Sequence, residues 1–215
     1  DHIFLFTAKT HKELTLSFFR VQEYYESPIP ELFRKQFNVF DFLNASLDDD
    51  GNIDYFNYWT GFNIPGHIVD EWHNKQDVEH QTPFETKMFL QLDEAGVDYS
   101  EPYYIIGALE KDKDVINHEI AHALYTTNLS FMLEMNALTA ELMENHHEQY
   151  TIMSQNLLDM GYCSDVVVDE IQAYLSSEKT RYLKKTFDIN VPQLKDLIKR
   201  YRKVLLKYNT EALDN

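Results

Sequence analysis

The sequence predicts an α+β fold, predominantly helical, with a small sheet from the N-terminal half packed on a helical C-terminal half. Three observations carry that expectation. Residues 2–8 and 102–109 are short runs rich in aromatic and β-branched side chains, the composition of buried strands. Only six Gly and six Pro interrupt 215 residues, so loops are few and short. From Lys113 onward every segment reads as helical.

The elements follow in order. After the first strand, Leu14, Phe18, Val21 and Tyr25 recur at helical spacing, and Ser27-Pro28-Ile29-Pro30 ends that helix. A second short helix is expected over 37–47, followed by a turn at Asp48-Asp49-Asp50-Gly51-Asn52. Residues 53–63 are aromatic and partly alternating, which suggests a strand or an ordered loop, and a helix follows over 67–74. Thr82-Pro83-Phe84-Glu85 has Thr at the N-cap, Pro at the first helical position and Glu two residues on, the pattern of a capping box. Downstream the expected helices are 114–126, 129–149, 151–160, 165–182 and 191–207. One domain over 1–215 is expected, with an α+β portion at 1–99 and the remainder at 100–215.

Composition limits the function. A hydrophobic fraction of 44% supports a real core and excludes a disordered chain. Nineteen Lys+Arg against 36 Asp+Glu leave a formal charge of −17, which repels phosphate backbones and anionic lipid. Neither nucleic-acid binding nor membrane insertion is expected. Any long-range attraction from this acidity favours basic substrates. Cys163 is the single cysteine, so there is no intramolecular disulfide and no Cys-rich metal site. The sequence begins at Asp1, as a trimmed or processed chain would. A soluble protein is expected, cytoplasmic or secreted without disulfides, and neither localisation nor oligomeric state is read further.

Chemistry concentrates in Val115-Ile116-Asn117-His118-Glu119-Ile120-Ala121-His122-Ala123-Leu124-Tyr125. Helical spacing puts His118 and His122 on one face a turn apart, where two imidazoles reach one metal ion. Glu119, beside that face, can hold a water and take its proton. The bland alternative is an amphipathic helix whose histidines are satisfied by hydrogen bonds. Apart from the motif itself, no charged residue interrupts 115–124, so the helix is expected to be buried except at its metal face.

This stretch resembles the zincin metallopeptidases, which favour uncharged residues around HExxH. The resemblance covers roughly residues 100–182 and leaves 1–99 without a relative. It implies a Zn2+ cofactor held by His118 and His122, Glu119 as general base, and an extended peptide or protein substrate paired along the strand at 102–109. Tyr125 and Asn128 stand where the metzincin pattern needs Gly and a third His, so the third ligand is expected on another helix, as in gluzincins.

Downstream donors are Glu134, Glu141, Glu144, His146, His147, Glu148, Asp169 and Glu170. Glu170 is favoured. Its neighbours are strongly apolar, and a carboxylate there is costly unless paired or metal-bound. Its E-x-x-A spacing to Ala173 resembles the second gluzincin motif, with Tyr174 where those families carry Asp or Asn. Glu141 and Glu144, nearer the usual spacing, stay as alternatives, and a Glu paired with Lys or Arg is the bland reading. Tyr174, Ser177 and Arg181 follow on the same helical face, which makes Tyr174 first and Arg181 second for stabilising an oxyanion. Asp169 is a candidate to accept a hydrogen bond from a ligand histidine.

Other signals are discounted. Ser46 through Asn57 matches part of an EF-hand loop but lacks the first ligand and the closing Glu. His146 and His147 point about 100° apart on a helix, which suits a solvated face. Tyr24-Tyr25, Tyr103-Tyr104 and Trp59 suit core or hairpin positions. The sequence thus points to a zinc-dependent hydrolase, most directly a metallopeptidase. The alternatives are a binding or regulatory module with a structural or vestigial metal site, and a zinc hydrolase of non-peptide substrates.

Overall fold

The computed structural model describes residues 3–47, 50–53, 55–75, 81–162 and 164–213. Cys163 and three residues of the EF-hand-like segment (48, 49 and 54) lie outside the described residues. The architecture is the expected α+β, mostly helical with a three-stranded sheet. The chain divides into two compact units, 2–116 and 117–215, so the division falls inside a helix. No described helix is long and apolar enough to cross a membrane.

The first unit is built on β1 (Ile3–Ala8), β2 (Gly61–Pro65) and β3 (Tyr104–Leu109), in the order β1-β3-β2. β1 runs parallel to β3 with Ile3 opposite Tyr104, and β2 runs antiparallel with Gly61 opposite Ala108. Because β3 is central and paired along both edges, it has no free backbone groups to offer an incoming strand. This corrects the expectation that substrate adds to 102–109. In this sheet the edges belong to β1 and β2.

Helix α1 (His11–Glu26) covers the sheet, entered through Thr10, whose hydroxyl accepts from the Glu13 amide at 3.1 Å. Its Leu14, Phe18, Phe19 and Val21 are buried, as the spacing requires. Gly107 on β3 is needed for this approach: a Cβ there would lie 2.5 Å from the Phe18 ring. The short α2 (Val39–Ala45) is followed by α3 (Tyr55–Tyr58), one helical turn within the 53–63 segment ahead of β2. Next come α4 (Gly66–Lys75) and α5 (Pro83–Glu94). The predicted capping box opens α5: Thr82 accepts from the Glu85 amide, and Glu85 accepts from the Thr82 amide at 2.7 Å. Tyr24, Tyr103 and Tyr104 are core residues.

Helix α6 (Lys113–Thr127) spans the division, and its HExxH motif at 118–122 falls in the second unit. Asp112 starts it by accepting from the Val115 amide at 3.2 Å. The second unit then comprises α7 (Leu129–Asn145), α8 (His147–Asp159), a single 3-10 turn at Ser164–Val166, α9 (Val167–Ser177), α10 (Thr180–Phe187) and α11 (Val191–Leu213). Two expected helices are divided. The 129–149 segment breaks at His146, whose backbone leaves the helical region. The 165–182 segment breaks at Glu178, which is extended at φ −80° and ψ 149°.

Candidate metal centre

The centre lies wholly in the second unit and is assembled from α6 and α9. Residues 119–124 of α6 are all buried, whereas His118, which opens the motif, is partly exposed. On α9, Val167, Ile171 and Leu175 bury the helix and carry Glu170 inward with them. His122 is 3% exposed, Glu119 7% and Glu170 8%. Groups so polar are seldom buried together without a shared purpose.

Three donors converge. The Nε2 atoms of His118 and His122 lie 3.2 Å apart. Glu170 places Oε1 3.6 Å from His122 Nε2 and Oε2 3.8 Å from His118 Nε2. Donors bound tetrahedrally at roughly 2.0–2.2 Å from zinc would be separated by about 3.3–3.6 Å, so these spacings suit one ion. Among the described residues this is the one group whose ligand atoms all lie within 4.8 Å of one another.

The far side of each imidazole is also anchored. His122 Nδ1 lies 3.0 Å from Asp169 Oδ2, and Gln172 Nε2 donates to the other oxygen of Asp169 at 2.7 Å. His118 Nδ1 lies 3.3 Å from Ser177 Oγ, whose own proton goes to the Ala173 carbonyl at 2.7 Å. With its proton committed, the Ser177 oxygen can only accept from His118. Each ring thus meets an acceptor at Nδ1, which leaves both Nε2 atoms on the side of Glu170. The 3.2 Å between the two Nε2 atoms is met by a proton shared between them or by a bound cation.

Electrostatics agree. Burial, with the neighbouring charge of His122, pushes His118 well below the usual imidazole range. Burial also disfavours charge on His122, but Asp169 and Glu170, with Glu119, outweigh it and hold His122 up at about 10. The carboxylates thus retain one positive charge in the pocket. A divalent ion meets the same demand.

The other candidates separate cleanly. Glu141 is bound to Arg200 at 2.5 Å and Glu134 to Lys207 at 2.7 Å, while Glu144, His147 and Glu148 are exposed and His146 sits at the α7–α8 junction. None joins the group. Tyr174 packs its ring against His118, centroids 4.7 Å apart, and its hydroxyl is hydrogen-bonded to Tyr162. Arg181 does not share that face, because α9 ends at Ser177 and Arg181 stands exposed on α10.

Two residues at the centre escaped the sequence reading. Tyr162 follows the turn at Gly161, and the charges of Glu170 and Glu119 reach its hydroxyl, raising its pKa along with burial. Glu178 brings Oε1 to 4.0 Å from His118 Nδ1. Neither sits in a periodic pattern with the motif; only the break after α8 and the end of α9 mark them.

Comparison of the chain with protein-family models, curated proteins and solved structures returns no match. The geometry of a His118, His122, Glu170 group that could hold a metal ion is therefore the main guide to function.

Proposed function

We propose that the protein is a zinc-dependent hydrolase, most directly a metallopeptidase, with Glu119 as its general base. The observation that carries this reading is the convergence of two imidazoles and a buried Glu170, with a further buried carboxylate, Glu119, adjacent in the HExxH helix. Two imidazoles, neutral once a metal replaces the His122 proton, and one carboxylate would make three protein ligands, the number found in catalytic rather than structural zinc sites. A zinc ion held there supplies Lewis acidity, polarising a scissile carbonyl and drawing the pKa of a water toward about 7.

The chain's own residues do the rest. Glu119 takes the proton of the attacking water and passes it to the leaving nitrogen, which separates bond cleavage from the need for external acid. Asp169 and Ser177 keep His122 and His118 in the required tautomer. Burial raises the pKa of both Tyr174 and Tyr162, so their paired hydroxyls stay protonated at neutral pH. In this reading Tyr174, with Tyr162, donates to negative charge developing on the substrate oxygen.

Elemental mass spectrometry on wild type and Glu170→Ala prepared side by side tests the ligand set. Near-stoichiometric zinc in the wild type and a clear loss in the folded variant are expected. Zinc retained in the variant would remove Glu170 as a ligand, and no zinc in the wild type after adding it back would remove the enzyme reading. A peptide-library digest with the zinc-loaded protein tests the bond: cleavage abolished by a chelator supports a peptidase, and an intact library points to the non-peptide alternative.

Asp169→Ala provides a finer check on the support. Removing the acceptor of His122 Nδ1–H should weaken zinc binding by about 10–100-fold, read by competition with a chromophoric chelator. An affinity equal to wild type would mean that Asp169 does not orient the ring.

A further inference from the structure

The chain is acidic overall, yet its cations are segregated. No Lys or Arg occurs between residues 114 and 178, and ten of the nineteen then fall within 179–207, against two acids in that stretch. All ten lie on or beside α10 and α11. On α11 the residues Leu194, Leu197, Ile198, Tyr201 and Leu205 are buried, and the opposite face is outward. That face presents Lys195, Lys199 and Lys203 at successive i, i+4 positions, with Asp196 as the acid among them. Arg181, Lys184 and Lys185 share one exposed face of α10.

Such an arrangement works against the helix it sits on. Like charges at i, i+4 destabilise a helix, where an intervening Glu would have been favourable. Arg200 and Lys207 are neutralised by Glu141 and Glu134. Lys195, Lys199, Lys203, Arg181, Lys184 and Lys185 make no ion pair among the described residues. A row of unpaired cations, retained in a chain of net −17, calls for an anionic partner supplied from outside.

The strip also adjoins the metal centre. Arg202 of α11 donates through Nη2 to the Glu178 carbonyl oxygen at 2.6 Å, and Glu178 is the residue whose carboxylate lies 4.0 Å from His118 Nδ1. Tyr182 of α10 stacks on Tyr174, ring planes 8° apart, and Tyr174 packs on His118. Both cationic helices therefore reach the shell of the site through a single intervening residue.

We infer that the outward face of α10 and α11 is a docking strip for acidic polypeptide segments, so that the substrate class is proteins or peptides with Asp/Glu-rich runs beside the cleaved bond. The inference rests on the metallopeptidase reading for its link to cleavage. The spacing suits such a ligand: lysines one helical turn apart lie about 6 Å from one another along the axis. Alternate side chains of an extended peptide repeat at roughly 6.6 Å. Nucleic acid and anionic membrane are extended polyanions that would also meet the acidic remainder of the chain, whereas a short acidic segment engages the strip alone. Local charge thus reverses the preference for basic substrates that net charge suggests.

The test separates docking from catalysis by using Glu119→Gln protein, which needs no turnover for its readout. Fluorescence anisotropy would follow short labelled peptides of alternating Glu and Ser, of Lys and Ser, and of Ser alone, with single-stranded DNA and phosphatidylserine vesicles as competitors. The Glu/Ser peptide should bind most tightly and weaken as salt rises. Combining Lys195→Glu, Lys199→Glu and Lys203→Glu should weaken it by about tenfold, with the same three positions as Gln giving a smaller loss. These exposed positions accept Glu and Gln without cost to helix propensity, and circular dichroism checks that both proteins are folded. In an otherwise wild-type background, the reversed protein should cleave an uncharged peptide at the unaltered rate. Equal binding of the Glu/Ser and Ser peptides, or unchanged binding by the reversed protein, would overturn the inference. Tighter binding of DNA or vesicles than of the acidic peptide would overturn it in favour of that polyanion. A wild-type protein that binds the acidic peptide but cleaves nothing would count against the hydrolase reading and leave the strip in place.

Discussion

Replacing Glu119 by Gln should leave zinc bound and lower kcat by about 10²–10⁴-fold, the range lost when a positioned acid–base group is removed. Gln has nearly the same shape, so the buried position, 7% exposed, is not opened to water. It can still accept a hydrogen bond but can take no proton, so the step lost is the one assigned to Glu119. Its charge is among those that hold His122 up, so a modest drop in metal affinity is also expected. Zinc content must therefore be measured on the same preparation as kcat. A zinc-replete Glu119→Gln protein with turnover like that of wild type would eliminate Glu119 as the base. It would also reopen the structural-site alternative, since a structural ion has no use for that carboxylate.

What the sequence disclosed about this site follows from which interactions are local. His118 and His122 are one turn apart, and any helix brings them together. Glu170 was legible because Val166, Val167, Val168 and Ile171 surround it, and burial of a carboxylate among such residues needs a partner. Asp169 follows from its place beside Glu170. Tyr162 and Glu178 were not legible, because each is placed by the end of a helix. The end of α9 at Glu178 shows why: Arg202, 24 residues later, captures its carbonyl oxygen, and nothing in the local sequence announces that bond. Ser177 was expected on the correct face and is found against His118, whereas Arg181, one turn further, is lost to the same break.

The fold shows the same division. The α5 start is written in four adjacent residues, and the structure has it as read. The end of α7 at His146 carries neither Gly nor Pro, so a continuous helix was the natural expectation. For β3, an apolar run announces a buried strand but not its neighbours. Its central position comes from pairing with residues about a hundred and about forty positions away, which no periodicity encodes. The substrate-strand expectation failed on that point.

The largest effect on stability should come from the first unit, at the ion pair of Arg20 and Glu85. Their side chains are 0% and 1% exposed, and Nη1 donates to both carboxylate oxygens at 3.2 and 3.0 Å. Nη2 donates to the Phe37 carbonyl oxygen at 2.7 Å, and the guanidinium lies 4.9 Å over the Trp72 ring. Glu85 also accepts from the Thr82 amide, so one carboxylate serves the α5 cap and the α1 guanidinium together. Glu85→Ala would leave a buried guanidinium without its counter-charge and should cost about 3–5 kcal/mol. Arg20→Met with Glu85→Met removes both charges at once and should recover most of that loss, because desolvation no longer has to be offset. Both tryptophans of the chain, Trp59 and Trp72, belong to this unit, so tryptophan fluorescence in urea follows its unfolding directly. A single-variant loss below about 1 kcal/mol would mean that water reaches the pair and that its burial is not the source of its strength.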